Sequence, residues 1–114
     1  MKTILLDTSV LPDCLSILKD AGHTIIGPMS NDTPERRAAF ATAHAIIIAS
    51  AWQIDEEALA MAPMLQVVGR PGIGIDNVDT NACTRHGVCV VHTPDAPTQG
   101  TAEHAFTLLL ALAN

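Results

Sequence analysis

Val67-Val68-Gly69-Arg70-Pro71-Gly72-Ile73-Gly74-Ile75-Asp76-Asn77-Val78-Asp79 is a short β-branched run that breaks into a glycine loop and then meets a helix start at Asp79. In α/β sheets, loops at the carboxyl ends of parallel strands hold ligands, and glycine lets backbone N–H groups approach an anion closely. Gly72, Ile73 and Gly74 are therefore candidate anion-binding positions. The stretch is not a dinucleotide fingerprint. Asn77 stands where the third glycine belongs, and the first strand, where that motif opens a Rossmann unit, ends in Leu6-Asp7-Thr8-Ser9.

Outward from this loop, the same alternation repeats along the chain. Apolar runs at 3–6, 23–26, 45–49, 66–69 and 88–92 have the length and β-branched content of buried strands. Between them lie helix signals. Leu11, Leu15 and Leu18 share a face that Gly22 closes, Thr33-Pro34 is an N-cap followed by proline at the first helical position, and Asp55-Glu56-Glu57 puts negative charge on a helix start that Pro63 ends. Asp79 caps a further helix that carries Arg85 and His86 in its last turn and stops at Gly87. Strands alternating with single helices predict an α/β, doubly wound parallel sheet of about five strands in flavodoxin-like order.

The segment 101–114 differs in kind. Ala102, Ala105, Phe106, Leu108, Leu109, Leu110, Ala111, Leu112 and Ala113 leave almost no polar face, so the helix they form needs cover on nearly every side. The expected organisation is a domain over 1–99 and an apolar interdomain or dimerisation helix over 100–114. The sequence runs out in that helix without a cap, as expected of a chain cut before a further domain.

Composition removes several function classes. The net charge of −6, with six scattered basic residues, lacks the cationic footprint of a nucleic-acid or anionic-membrane binder. The longest apolar run, Leu108 to Ala113, is far short of the roughly 20 residues that span a bilayer. Cys14, Cys83 and Cys89 form no C-x-x-C pair, and His23, His44, His86 and His92 show no metal-ligand spacing. Buried inert thiols, no metal site and a reducing, cytoplasmic compartment are expected.

Three blocks with fixed order and spacing resemble the D-isomer-specific 2-hydroxyacid dehydrogenase family, in its phosphoglycerate dehydrogenase-like branch. They are Gly69-Arg70-x-Gly72-x-Gly74-x-Asp76-Asn77-Val78-Asp79, then Asn81-Ala82-Cys83-Thr84-Arg85-His86-Gly87-Val88, then Val91-His92-Thr93-Pro94 running to Ala102-Glu103-His104 and the leucine-rich helix. The resemblance covers about the last half of the chain and implies the substrate-binding portion of an enzyme that interconverts a 2-hydroxy and a 2-oxo acid with NAD or NADP. It further implies a cleft against a Rossmann domain of the same chain and a homodimer. The family's catalytic Arg, Glu and His come from sequence beyond position 114, so no catalytic residue and no activity are expected of this chain alone, nor tight cofactor binding.

On the same resemblance, the amides of Ile73 and Gly74 match positions that hold the substrate carboxylate, and Ile73 reaches the nicotinamide edge. Ser50 matches a position near the substrate's distal group, Arg70 can pair with a substrate anion, and Thr101 matches a cofactor contact. Two departures stand out. Ala49 and Ala51 flank Ser50 where phosphoglycerate-specific members often carry an Arg just before the serine, and Pro97 replaces an Asn that would face the cleft.

Plainer readings accompany each assignment. The glycines permit a tight turn, Ser50 is a loop-capping hydroxyl, Arg70 is a solvated surface residue or holds a loop carboxylate, and Asp76, Asn77 and Asp79 are turn and N-cap residues. A freestanding flavodoxin-like ligand- or partner-binding module without catalysis shares the strand order. A signalling receiver, another such module, lacks its acidic pair, phosphoacceptor and lysine here: the corresponding places hold Asp7, Ala49-Ser50-Ala51 and His92-Thr93-Pro94.

Overall fold

A computed structural model describes residues 2–8, 12–71, 74–93 and 106–111. Strands β1 (Thr3–Leu6), β2 (Thr24–Ile26), β3 (Ala45–Ile47), β4 (Val67–Arg70) and β5 (Cys89–His92) alternate with helices α1 (Pro12–Asp20), α2 (Pro34–Thr42), α3 (Glu56–Ala60) and α4 (Thr80–Arg85). Every neighbouring pair is parallel and the order is β2-β1-β3-β4-β5, the flavodoxin-like order expected.

Register explains where the core sits. Ile26, Leu5, Ile46, Val68 and Val90 are successive cross-strand partners, so they form one apolar row on a single face of the sheet. Phe40 and Ala43 from α2 and its end, Ala58 and Leu59 from α3, and Ala82 and Cys83 from α4 close over that row. Right-handed crossovers require this arrangement, because β2→β3, β3→β4 and β4→β5 all step in one direction, whereas β1→β2 steps back and sends α1 to the other face. On that other face, Leu6, Ile47, Gly69 and Val91 are partners across the sheet. Their burial falls from a buried Leu6 to a 52% exposed Val91 as the row leaves α1.

The caps at Thr33 and Asp79 fall where the sequence placed them, and Asp55, expected in the first turn of its helix, is a third. Thr33 accepts the Arg36 N–H, Asp55 the Ala58 N–H and Asp79 the Ala82 N–H, each satisfying a donor that the first helical turn leaves free. Asp55 is thus the cap of α3, with Glu56 and Glu57 alone in its first turn. Gly22 and Gly87 take positive φ after α1 and α4. Gly27 is required for space as well as for its φ of +104°, because a Cβ there would lie 2.6 Å from the Leu6 carbonyl oxygen.

Strand boundaries move by a residue or two for identifiable reasons. β2 begins at Thr24, since the His23 N–H still closes the end of α1 on the Leu18 carbonyl. Cys89 opens β5 because the Val88 N–H is held by the Cys83 carbonyl, and β4 runs on to Arg70, which pairs with His92. β3 stops at Ile47: beyond Ile48 the backbone turns to a side-chain acceptor, described below.

Cys83 is buried and its thiol is pushed up, chiefly by burial and further by Asp79, so it stays protonated and inert. Cys89 departs from the expectation of buried thiols, being exposed on β5; the burial of Cys14 lies outside the described set. Glu56 ties α3 to the end of α4, meeting His86 Nε2 at 2.9 Å and Arg85 Nη2 at 3.0 Å, and these two contacts, His86 first, lower its pKa. Residues 106–111 are helical, and the rest of the expected 100–114 helix lies outside the described residues. No helix among the described residues is long and apolar enough to cross a membrane.

Truncating the centre of the apolar row should cost far more than changing the open face. Ile46→Ala is expected to lower stability by about 2–5 kcal/mol, and Val91→Thr to change it by no more than about 0.5 kcal/mol. Urea denaturation followed by circular dichroism checks this, and equal losses would contradict the assigned faces.

Candidate functional site

Parallel strands deliver their carboxyl ends to one edge of the sheet, and here the segments after β1, β3 and β4 meet there. The β3–α3 loop is joined by backbone to the end of β4 and to the β4–α4 loop: Ile48 N–H donates to Gly69 O at 2.9 Å, Ile54 N–H to Asn77 O at 2.8 Å and Asp79 N–H to Ile54 O at 2.8 Å. An isolated parallel bridge between Ile54 and Val78 sits among these bonds. These bonds tie the two loops together, with Ser50 and Gly74 lining one cavity.

Two buried polar side chains finish the joint. Asp7, at the end of β1 and 4% exposed, accepts the Ala49 N–H on Oδ2 at 3.0 Å. Asn77, 7% exposed, donates from Nδ2 to the Ala49 carbonyl at 2.9 Å and to the Trp52 carbonyl at 2.8 Å. Asp7 Oδ1 also faces Arg36 Nη1 at 3.4 Å, and that same nitrogen donates to the Ser30 carbonyl at 3.1 Å. The Arg36 guanidinium lies 3.9 Å from the Trp52 ring centroid, and Trp52 meets Phe40 edge-on at 5.0 Å.

Ser50, Gln53, Arg70, Gly74, Asp76 and Asn77 line a shallow cavity of about 170 Å³ at this joint. Among the sequence-predicted site residues, the structure thus brings together Ser50, Arg70 and Gly74. Gly72, Ile73 and Thr101 lie outside the described residues. Arg70 donates from Nη1 to the adjacent Pro71 carbonyl at 2.9 Å, its Nε is buried without an acceptor, and it forms no ion pair with a described carboxylate. Gln53 joins the cavity with no signal in the sequence to mark it. Asn77 stands in the turn that the Val78 N–H closes on the Ile75 carbonyl, as expected, and its amide in addition reaches across to the neighbouring loop.

A larger crevice of about 630 Å³ opens between α2 and α3, beside Trp52. Its charged lining is Asp7, Asp32, Asp55 and Glu57 against Arg36 and Arg37. Arg37 is held by Asp32 in a bidentate pair at 2.9 and 2.8 Å, which lowers the carboxyl's pKa and raises the guanidinium's, and Arg36 is matched by Asp7. The crevice is net acidic with its cations already paired, whereas the smaller cavity sets Arg70 against Asp76 alone and leaves that Arg70 out of any ion pair among the described residues, so the smaller cavity is the candidate site for an anionic ligand. Among the described residues, no group of His, Cys, Asp and Glu is placed to hold a metal ion. His44 and His23 serve the fold instead, accepting the Thr3 and Lys2 N–H groups on Nδ1.

Removing Arg36 should strand the Asp7 carboxylate without its cation. Arg36→Met is expected to cost about 3 kcal/mol, with part recovered when Asp7→Asn is added. Chemical denaturation of the single and double variants measures this. A double variant no more stable than Arg36→Met alone would show that charge pairing is not what the guanidinium supplies.

A family model described as D-isomer specific 2-hydroxyacid dehydrogenase, catalytic domain, matches residues 4–112. The D-3-phosphoglycerate dehydrogenase of Mycobacterium tuberculosis is 38% identical over 113 residues, a match covering 97% of this chain and 21% of that protein. The chain therefore spans about a fifth of the length of the curated relatives it matches. A crystal structure of a protein from Thermus thermophilus superposes with a TM-score of 0.87 at 27% identity, over 97% of this chain and 36% of that one. The NAD+-bound 3-phosphoglycerate dehydrogenase of Entamoeba histolytica shares the fold, with a TM-score of 0.79 at 24% identity over 95% of this chain and 38% of that one. With the model matched along nearly its whole length, the chain belongs to the D-isomer specific 2-hydroxyacid dehydrogenase family.

Proposed function

We propose that the chain is the substrate-binding part of a cytoplasmic, NAD(P)-dependent D-2-hydroxyacid dehydrogenase, with residues 1–99 as the domain and 100–114 as the helix leading toward a nicotinamide-binding domain. The observation that carries the reading is the convergence of Ser50, Arg70 and Gly74 on one cavity at the carboxyl edge of the sheet, where Arg70 has no described carboxylate partner.

In this reading the chain binds and orients, while proton and hydride transfer belong to groups outside it. The backbone amides of Ile73 and Gly74 hold the substrate carboxylate. Arg70 supplies the cation beside them, and Ser50 meets the end of the substrate remote from the reacting carbon. Fixed N–H donors suit this task because a carboxylate bound by preorganised dipoles needs no reorganisation as the neighbouring carbon changes hybridisation. NAD(P), which accepts or returns the hydride when bound, would touch this chain only at its edge, through Ile73 and Thr101.

The relatives named as phosphoglycerate dehydrogenases suggest a phosphate-bearing substrate, but Ala49 and Ala51 flank Ser50, and Arg70 is the one cation among the described residues lining the cavity. The proposal therefore stays at a small 2-hydroxy or 2-oxo acid. Phe106, Leu108, Leu109 and Leu110 are all at least half exposed in the helical segment 106–111, a surface that a homodimer contact or the second domain would cover.

The 114-residue chain alone is expected to show no cofactor-dependent dehydrogenation of any 2-hydroxy acid, and an absorbance change above blank at the nicotinamide band would overturn that division of labour. In a protein that joins this chain to its nicotinamide-binding domain, Arg70→Met should raise KM for the hydroxy acid by about 10-fold or more, with kcat changed much less. An unchanged KM would remove Arg70 from the site. Self-association of the chain through 106–111 should appear in sedimentation velocity and vanish in Leu109→Glu.

A further inference from the structure

The Ser50 loop makes few bonds of its own. After Ile48 the backbone leaves the ladder, and Ala49 N–H, Ala49 C=O and Trp52 C=O would be left to solvent or to nothing in this half-buried setting. Their partners are Asp7 and Asn77, at separations of 42, 28 and 25 residues. Resting on the proposed substrate role of Ser50, we infer that Asp7 and Asn77 are positioning residues that fix the Ser50 loop against the glycine loop, and so set which substrate the cleft accepts.

The chemistry of each group fits that task. A carboxylate is purely an acceptor, so Asp7 takes an N–H, and Arg36 balances its charge from the other oxygen. The primary amide of Asn77 carries N–H donors on one nitrogen, and both face carbonyls of the same loop. Aspartate has nearly the same shape and could not make either bond. Ala49 is therefore pinned on its N–H by Asp7 and on its carbonyl by Asn77, while Trp52 is pinned on its carbonyl by Asn77 and on its ring by Arg36 and Phe40. Ser50 and Ala51 hang between two fixed points.

The span of that loop is tied directly to the anion-binding side. Asn77 lies three residues past Gly74, and its own carbonyl accepts the Ile54 N–H. One residue thus sets the separation between Gly74, where the carboxylate end of a substrate would sit, and Ser50, where the remote end would sit. Asn77 borders the cavity, but its amide nitrogen is already committed to the Ala49 and Trp52 carbonyls. Its effect reaches the substrate through the placement of Ser50, so it should appear in substrate affinity and selectivity rather than in the chemical step.

Two readouts test this separately. In the 114-residue chain, Asn77→Asp should speed amide hydrogen exchange at Ala49 and Ile54, whose N–H groups are bonded to Asp7 and to the Asn77 carbonyl, by about 10-fold or more, with Ile46 and Val68 unchanged. Asn77→Ser, which keeps one donor, should fall between and serves if the aspartate variant does not fold. In the enzyme that joins this chain to its nicotinamide-binding domain, Asn77→Asp should raise KM for the hydroxy acid by about 10-fold with kcat nearly kept, and should add nothing in a Ser50→Ala background. Exchange that rises equally at Ile46 and Val68 would mean a loss of global stability and overturn the inference. So would a raised KM in Ser50→Ala beside an unchanged KM in Asn77→Asp. If Ser50→Ala leaves KM unchanged, the substrate role of Ser50 fails and the inferred role in selectivity falls with it, while the exchange data still decide whether Asn77 holds the loop.

Discussion

Parallel strands cannot be joined by tight turns, so each must be followed by a crossover, and here the crossovers after β2, β3 and β4 all pass over one apolar row, Ile26, Leu5, Ile46, Val68 and Val90. That row is the constraint on which the rest depends. Burying it brings α2, α3 and α4 down on the same face, and the direction of the strands then gathers the loops after β1, β3 and β4 at one edge. A one-residue slip of β3 would turn Ile46 outward and carry the Ser50 loop away from Gly74 together. Core packing and site geometry are therefore the same requirement seen at two ends of the strands.

At the edge itself, polar groups replace apolar ones. A buried carboxylate and a buried amide are costly unless their hydrogen bonds are made, and Asp7 and Asn77 make theirs to the backbone of a single loop. Arg36 belongs to the same assembly, balancing Asp7 on one side and covering Trp52 on the other. Backbone-directed bonds of this kind leave the outward side chains, Ser50 and Gln53, free to meet a ligand. The division suits a site whose wall must be rigid while its surface is varied.

Much of the fold was legible in local sequence. The strand runs, the Thr33-Pro34 start, the cap at Asp79, the acidic start of α3 and the glycines after α1 and α4 each act over a few residues, and each sits where its local chemistry puts it. Strand ends were less legible because a competing bond decides them: His23 stays with Leu18, Val88 stays with Cys83, and Ala49 turns to Asp7. Site readability followed the same rule. Arg70 and Gly74 were singled out through an ordered block of sequence and Ser50 through the family resemblance, and the three line one cavity. Asp7 looked only like the end of a strand and Asn77 only like a turn residue, since their partners lie tens of residues away. No local pattern announces such a bond.

The central claim is that the surface between Ser50 and the glycine loop receives the carboxylate of a 2-hydroxy or 2-oxo acid. Titration of the isotopically labelled chain with a small 2-oxo acid, followed by ¹H–¹⁵N correlation spectra, tests it without requiring turnover. The account predicts saturable shifts centred on the amides of Ile73 and Gly74, extending to Arg70 and Ser50 and sparing α1. Shifts confined to the crevice beside Arg36 and Trp52, or none at millimolar ligand, would contradict it.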